Sequence, residues 1–274
     1  QRLKIIGRAG VGVDNVDVKT ATQKGVLVVN SPGGNTIAAA EHAIAMMLAL
    51  SRNIPIAHAS TMEGKWERKK FVGNELYKKR LGVVGLGKIG THVAKVANAL
   101  GMEVIGYDPF VSSDRAQQMQ VKLSELNLLF EESDYITLHL PRTTETENLV
   151  DIKMLNSMKR TAKLINCARG GIIDEEALAD ALNSSLIGGA AIDVFSEEPL
   201  SNNSPLLKVK KNLILTPHLG ASTKEAQENV AIDVAEQIRD VLLGLSARTA
   251  VNIPGLSPDI MDSLKPHLQL AETL

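Results

Sequence analysis

LGVVGLGKIG, residues 81–90, reads as a strand running into a glycine turn and the start of a helix. Its first residues are apolar or glycine at consecutive positions, the pattern of a parallel strand covered on both faces. From Ile89 onward, Val93, Val96, Ala97 and Leu100 recur every three or four residues, the period of an amphipathic helix. Gly85, Gly87 and Gly90 form G-x-G-x-x-G, and the next apolar run, MEVIGYD (102–108), ends on Asp108, 18 residues after Gly90. A lone glycine motif can be no more than a structural βα turn. In this setting the first glycine makes the tight turn, the second admits a pyrophosphate and the third packs helix on strand. The helix N-terminus then faces the anion. An acid at the end of the second strand reaches a ribose and repels a 2′-phosphate, so NAD is expected rather than NADP. Arg115 is near enough in sequence to bear on that choice.

Outward from this unit the alternation continues. YITLHLP (135–141), AKLINCA (162–168), GGAAIDVF (188–195) and NLILTPH (212–218) read as further strands, with helical spacing over 151–158 and 174–182. Strand and helix in repeated alternation predict an α/β, doubly wound parallel sheet, the Rossmann arrangement. Upstream lie strands at 3–6 and 26–30 and an Ala-rich helix over about 36–51, apolar nearly all round and so buried, with Asn35 or Thr36 as its cap. A long helix is expected over about 223–243. Residues 33–220 are thus expected to form a nucleotide-binding domain set between 1–32 and 221–274, two pieces of an incomplete second lobe. The chain opens on Gln1 and enters an apolar run at once. LKPHLQLAETL (264–274) has the spacing of an unfinished helix, so the sequence reads as a piece of a longer polypeptide.

The chain has 274 residues, 44% of them hydrophobic, with 30 basic and 31 acidic side chains and a net charge of −1. Near-neutral charge argues against a nucleic-acid or anionic-membrane binder, and the hydrophobic content argues against disorder. No apolar run is long enough to cross a bilayer. A single cysteine, Cys167, excludes an internal disulfide and a Cys-rich zinc site. No His/Asp/Glu cluster has metal-ligand spacing, so no metal is expected. The composition is that of a soluble, intracellular globular protein. Residues 65–80 hold seven basic and two acidic side chains, read as a solvated face in preference to a phosphate site at Arg68 or Lys69. Cys167 reads as a small apolar strand residue, and His42 and His139 as satisfied structural histidines.

In open α/β sheets, ligands sit beyond the carboxyl ends of the strands. Three reactive side chains fall there: Arg169, Glu198 and His218. An imidazole is suited to accept the proton when a hydride leaves a hydroxyl carbon. A carboxylate can orient that ring, and a guanidinium can bind a carboxylate on two prongs. The plainer alternatives are a structural histidine and a surface acidic turn before Pro199.

GRAGVGVDNVD (7–17), GKWERKKF (64–71), GLGKIG (85–90), NCARGGIIDE (166–175), AIDVFSEEP (191–199) and PHLGAST (217–223) together resemble the D-isomer-specific 2-hydroxyacid dehydrogenases. The ending, SARTAVNIPG (246–255) to LQLAETL, resembles cyanobacterial and plastid-type members. The resemblance implies a Rossmann domain inserted in a truncated flavodoxin-like substrate lobe. It implies oxidation of 3-phospho-D-glycerate to 3-phosphooxypyruvate, at the entry to serine synthesis. Hydroxypyruvate or glyoxylate reduction is the alternative within the class, and an NAD-sensing corepressor-like protein the alternative outside it. By the same resemblance, Arg169 would bind the acid substrate, and Glu198 would pair with His218, the proton shuttle. Arg8, Gly10, Val11 and Gly12 would help hold the substrate, with Val11 replacing a threonine found in some members. Gly85, Gly87, Lys88, Ile89, Gly90, Asp108, the turn after His139, Cys167, Ala168, Arg169, Asp193, His218, Gly220 and Ala221 would line the cofactor. A homodimer or homotetramer is expected, in the cytoplasm or, in a plant or alga, the plastid stroma.

Overall fold

A computed structural model of the chain describes residues 3–253. The helix expected over 264–274 lies outside them. Among them, the segments before Ile37 and after Gly220 form one unit and Ile37–Gly220 forms another.

The first unit begins with strand β1 (Ile5–Arg8), helix α1 (Val18–Gln23) and strand β2 (Leu27–Asn30). β1 and β2 are parallel, with Ile5 opposite Leu27 and Arg8 opposite Asn30. Asp17 caps α1 by accepting from the Thr20 amide at 2.8 Å. The long helix α9 (Lys224–Leu242) packs on β1. Gly7 permits this approach, because a Cβ there would lie 2.4 Å from Val234 Cγ1. Beyond α9 the chain returns to the other edge of β2. Asn252 Oδ1 accepts from the Val28 amide at 2.9 Å, and Thr249 Oγ1 donates to the Asn30 carbonyl at 2.5 Å.

The second unit contains a parallel sheet of β3 (Arg80–Val84), β4 (Glu103–Tyr107), β5 (Lys122–Leu123), β6 (Tyr135–Leu138), β7 (Lys163–Asn166), β8 (Gly189–Ile192) and β9 (Leu213–Leu215). The spatial order is β5-β4-β3-β6-β7-β8-β9, so the winding reverses between β3 and β6. Helices α2 (Thr36–Ser51) and α4 (Lys88–Ala99) contribute to one apolar cluster, with Met47, Leu50, Val93 and Ala97 packed against Leu81, Val83 and Ile165. Helices α6 (Leu126–Glu132), α7 (Ile152–Ser157) and α8 (Glu175–Asn183) cover the other face, with Phe130, Leu155 and Leu178 against Val84, Ile136 and Leu164. Both faces are dry, which is why the strand residues are apolar at successive positions.

Helix starts follow side-chain caps visible in the sequence. Asp151 accepts from the Met154 amide at 2.9 Å, Asp174 from Ala177 at 3.0 Å and Thr223 from Ala226 at 3.1 Å. Four short elements carry no clear periodic signal: α3 (Ile54–Met62), α5 (Ser113–Gln118), α6 and β5. The strand expected over 135–141 ends at Leu138, and the next amide, of His139, donates to the Val84 carbonyl at 2.7 Å. No described helix is long and apolar enough to cross a membrane.

Candidate active site

The glycine turn joins β3 to α4 at the reversal between β3 and β6, where open α/β sheets place nucleotides. Each glycine there has a separate steric reason. Gly85 has φ +96°, and a Cβ would lie 2.4 Å from the His139 carbonyl oxygen. At Gly90 a Cβ would lie 1.9 Å from the Gly85 carbonyl oxygen, so the helix could not seat against the turn. At Gly87 a Cβ would meet nothing within 4 Å. Gly87 is also the N-cap of α4 and offers no side-chain cap, so the first amides of this 12-residue helix have no capping side chain. That combination fits a pyrophosphate, which needs backbone amides, a helix N-terminus and room to approach. Asp108, just past β4, accepts from the Leu86 amide at 2.8 Å and from Phe110 at 2.9 Å, which fixes the carboxylate beside the turn. Lys88 and Ile89 open α4.

The three reactive side chains follow adjacent strands. Asn166, Ile192 and Leu215 end β7, β8 and β9 in matching register, and Arg169, Glu198 and His218 lie beyond them. Glu198 Oε2 lies 2.6 Å from His218 Nδ1, while Glu198 Oε1 accepts from the Phe195 amide at 3.0 Å. The carboxylate is thus anchored to its own loop and to the ring. His218 Nε2 has no hydrogen-bond partner among the described residues. Arg169 Nη1 donates to the Ala168 carbonyl at 2.6 Å, and Asn166 braces the turn by donating to the Arg169 carbonyl at 2.9 Å. Gly170 brings this turn onto the Glu198 loop, since a Cβ there would lie 1.7 Å from the Phe195 carbonyl oxygen.

Asp193 is fully buried and organises the third turn. Its carboxylate accepts from the Leu219 and Gly220 amides, both at 2.8 Å, from Thr216 Oγ1 at 2.5 Å and from His42 Nε2 at 3.2 Å. Burial pushes its pKa up, but the bonds from His42, Thr216, Leu219 and Gly220 together outweigh it and hold the group below the usual carboxylate range. His42, Cys167 and Asp193 have ligand atoms within 4.8 Å of one another, a grouping that sequence spacing does not show. The four donors already on Asp193 make this a hydrogen-bond network of the fold. Burial, with the Asp193 charge second, pushes the Cys167 thiol up, so it is protonated and a poor nucleophile. His139 Nε2 lies 3.0 Å from Thr137 Oγ1, and burial lowers its pKa to about 4, leaving it neutral. Ala168 donates its amide to Asn166 Oδ1 at 3.0 Å, and Ala221 follows Gly220 at the unit boundary.

In the first unit, the loop after β1 is shaped by Gly10, whose φ is +145°. A Cβ there would lie 1.5 Å from Arg8 Nη1, so the glycine makes room for that guanidinium. The Gly10 carbonyl accepts from the Ser31 amide at 2.9 Å and the Val11 carbonyl from Asn30 Nδ2 at 2.7 Å. Gly12 completes the loop. Of the basic stretch 65–80, Lys65, Lys70 and Arg80 pair with Glu63, Glu67 and Glu132, as expected of a solvated face.

Residues 44–220 match the family described as D-isomer specific 2-hydroxyacid dehydrogenase, NAD binding domain. A D-3-phosphoglycerate dehydrogenase of Synechocystis sp. is 66% identical over 273 residues, covering 100% of this chain and 49% of the relative. A D-3-phosphoglycerate dehydrogenase of Archaeoglobus fulgidus is 52% identical over 274 residues, again 100% of this chain and 52% of the relative. The chain therefore spans about half the length of these two relatives. Among solved structures, a D-lactate dehydrogenase from Aquifex aeolicus complexed with NAD and lactic acid is similar, with TM-score 0.84, 29% identity and coverage of 93% of this chain and 81% of that one. The glycine turn, the strand order and the match over the whole second sheet agree, and the chain belongs to the D-isomer-specific 2-hydroxyacid dehydrogenase family, whose NAD-binding domain it carries.

Proposed function

We propose that the polypeptide carrying this chain oxidises 3-phospho-D-glycerate at its C2 hydroxyl to 3-phosphooxypyruvate, and catalyses the reverse reduction. The observation that carries this reading is the 2.6 Å contact between Glu198 Oε2 and His218 Nδ1 at the carboxyl end of the sheet. When bound, NAD supplies the hydride acceptor. His218 Nε2 takes the hydroxyl proton as the C2 hydride leaves, so a proton and a hydride depart together and the carbonyl forms. Glu198 fixes the ring orientation and faces the imidazolium charge that results. Arg169 presents a planar fork to the carboxylate and carbonyl oxygens of the acid. In the first unit, Arg8 and the amides of Gly10, Val11 and Gly12 are donors suited to an anionic group. Around the cofactor we assign Gly85, Gly87, Lys88, Ile89 and Gly90 to the pyrophosphate and Asp108 to the ribose, which favours NAD over NADP. The segments carrying Cys167, Ala168, Asp193, Gly220 and Ala221 complete its pocket.

The choice of a phosphorylated substrate is supported by the names of the Synechocystis and Archaeoglobus relatives. A turnover assay with NADH and a panel of 2-oxo acids, run on the full natural polypeptide, tests it. Preference for phosphohydroxypyruvate over hydroxypyruvate and glyoxylate is expected, and equal rates overturn the substrate assignment. A homodimer or homotetramer is inferred as well, supported by exposed Ile54, Ile56, Met62, Trp66 and Val72 along one segment. Light scattering tests it, with Trp66→Ser expected to raise the monomer fraction.

A further inference from the structure

At the amino ends of β6 and β7, opposite the glycine turn, lies a cavity of about 260 Å³. Among its lining residues are Lys79, Asp134, Arg160 and Lys163, with the polar side chains of Asn74 and Thr161. Lys163 is only 8% exposed. An ammonium has three N–H donors, yet its one protein acceptor among the described residues is the Leu50 carbonyl, at a long 3.5 Å. The Tyr135 ring, 5.6 Å away, gives it one further favourable contact. Asp134 does not neutralise it. That carboxylate already accepts from the Arg80 amide at 2.9 Å and pairs with Lys159 at 3.0 Å. Neither Lys79, Arg160 nor Lys163 has a carboxylate within ion-pair distance among the described residues. Three cations therefore border one cavity whose single acid, Asp134, is paired with Lys159 and shares its remaining field with Lys79 alone of the three.

We propose that this cavity is a binding site for a small phosphate-type dianion, held by Lys163 at its inner wall and by Lys79 and Arg160 at its mouth. The site lies at the opposite edge of the sheet from the carboxyl ends, so it is separate from the dehydrogenase reading and does not rest on it. Burial alone lowers the Lys163 pKa, and an anion beside the ammonium supplies the charge that its surroundings lack. The cavity takes a phosphate with room for a small organic substituent, whereas a dinucleotide is too large. Arg160 adds planar donors suited to paired oxygens.

The test is calorimetric titration of inorganic phosphate into the full natural polypeptide at constant ionic strength, with and without saturating NADH. NADH occupies the competing anion site at the α4 N-terminus. Saturable binding that persists with NADH is expected, weakened at least ~10-fold in Lys163→Met and in the Lys79→Ala/Arg160→Ala double variant, as loss of a charge-assisted contact dictates. The double variant changes only exposed side chains and decides the matter should Lys163→Met fail to fold. Absence of saturable binding overturns the proposal. So does binding abolished by NADH, or binding unaltered in the double variant.

Discussion

The main-chain amide of His218 donates to the main-chain carbonyl of Asp193 at 2.9 Å. The next two amides, Leu219 and Gly220, donate to the Asp193 carboxylate, so three consecutive N–H groups converge on one residue. His218 itself has φ +55°, a left-handed conformation that costs a non-glycine residue about 1–3 kcal/mol unless its surroundings enforce it. Asp193 supplies that enforcement, and the ring is thereby carried to Glu198.

Asp193→Asn is expected to weaken the turn, because an amide NH₂ cannot accept from Gly220. kcat falls while the second unit stays folded, and the thermal midpoint drops. The acid dependence follows from the depressed pKa. The native carboxylate contributes stability that is present above the unfolded value of 3.8 and lost as pH falls through its lower folded value. Wild type and Asn variant should therefore converge in thermal midpoint at strongly acidic pH. A gap that stays constant with pH refutes the assignment.

The proton shuttle is tested by His218→Asn, expected to lower kcat by ~10²–10⁴-fold while NADH binding, followed by fluorescence, persists. Glu198→Gln keeps the shape but removes the charge, and should lower kcat by a smaller factor. Near-normal turnover in a folded His218→Asn variant removes His218 from the mechanism.

Asp108→Ala should weaken NAD and relax the rejection of NADP. The measurement is the ratio of the two dissociation constants. An unchanged ratio assigns Asp108 to the turn alone, through its bonds to Leu86 and Phe110.

Arg169→Lys retains charge and loses the planar fork. Substrate KM should rise much more than the dissociation constant for NADH. Equal damage to both marks a structural arginine.

His139 gives a second pH signature. Its folded pKa of about 4 lies below the ordinary 6.5, so the unfolded chain takes up a proton between these values and the folded protein does not. Stability therefore declines as pH falls from 6.5 toward 4, by about 3 kcal/mol. In His139→Gln that part of the decline is expected to vanish from a thermal-midpoint profile. An identical acid profile contradicts a buried neutral imidazole.

Local chemistry makes much of the second unit legible in its sequence. The two dry faces of the sheet force consecutive apolar residues into its central strands, and Asp151 and Asp174 mark helix starts, as Thr223 does in the first unit, because a free amide needs an acceptor close in sequence. Gly85 and Gly90 are required by contacts made within one βα turn and its neighbouring strand, so the motif is visible in a short window. The short elements α5, α6 and β5 are not legible in this way, because tertiary packing holds them, and α3 leaves Ile54, Ile56 and Met62 exposed and so has no apolar stripe to read.

The sequence by itself determined the Rossmann order of elements, the glycine turn and the residue types available for hydride chemistry, since each depends on spacing within a few dozen positions. Only the tertiary structure decided their mutual placement. Glu198 and His218 are 20 positions apart and meet because β8 and β9 are neighbours. His42 and Asp193 are farther apart still, and no periodicity announces that a histidine on α2 will share a buried carboxylate with Thr216 and two turn amides. The cluster of Lys79, Arg160 and Lys163 is of the same kind. Side chains that converge across strand crossovers leave no local pattern, because the distance that matters is set by how the sheet is wound.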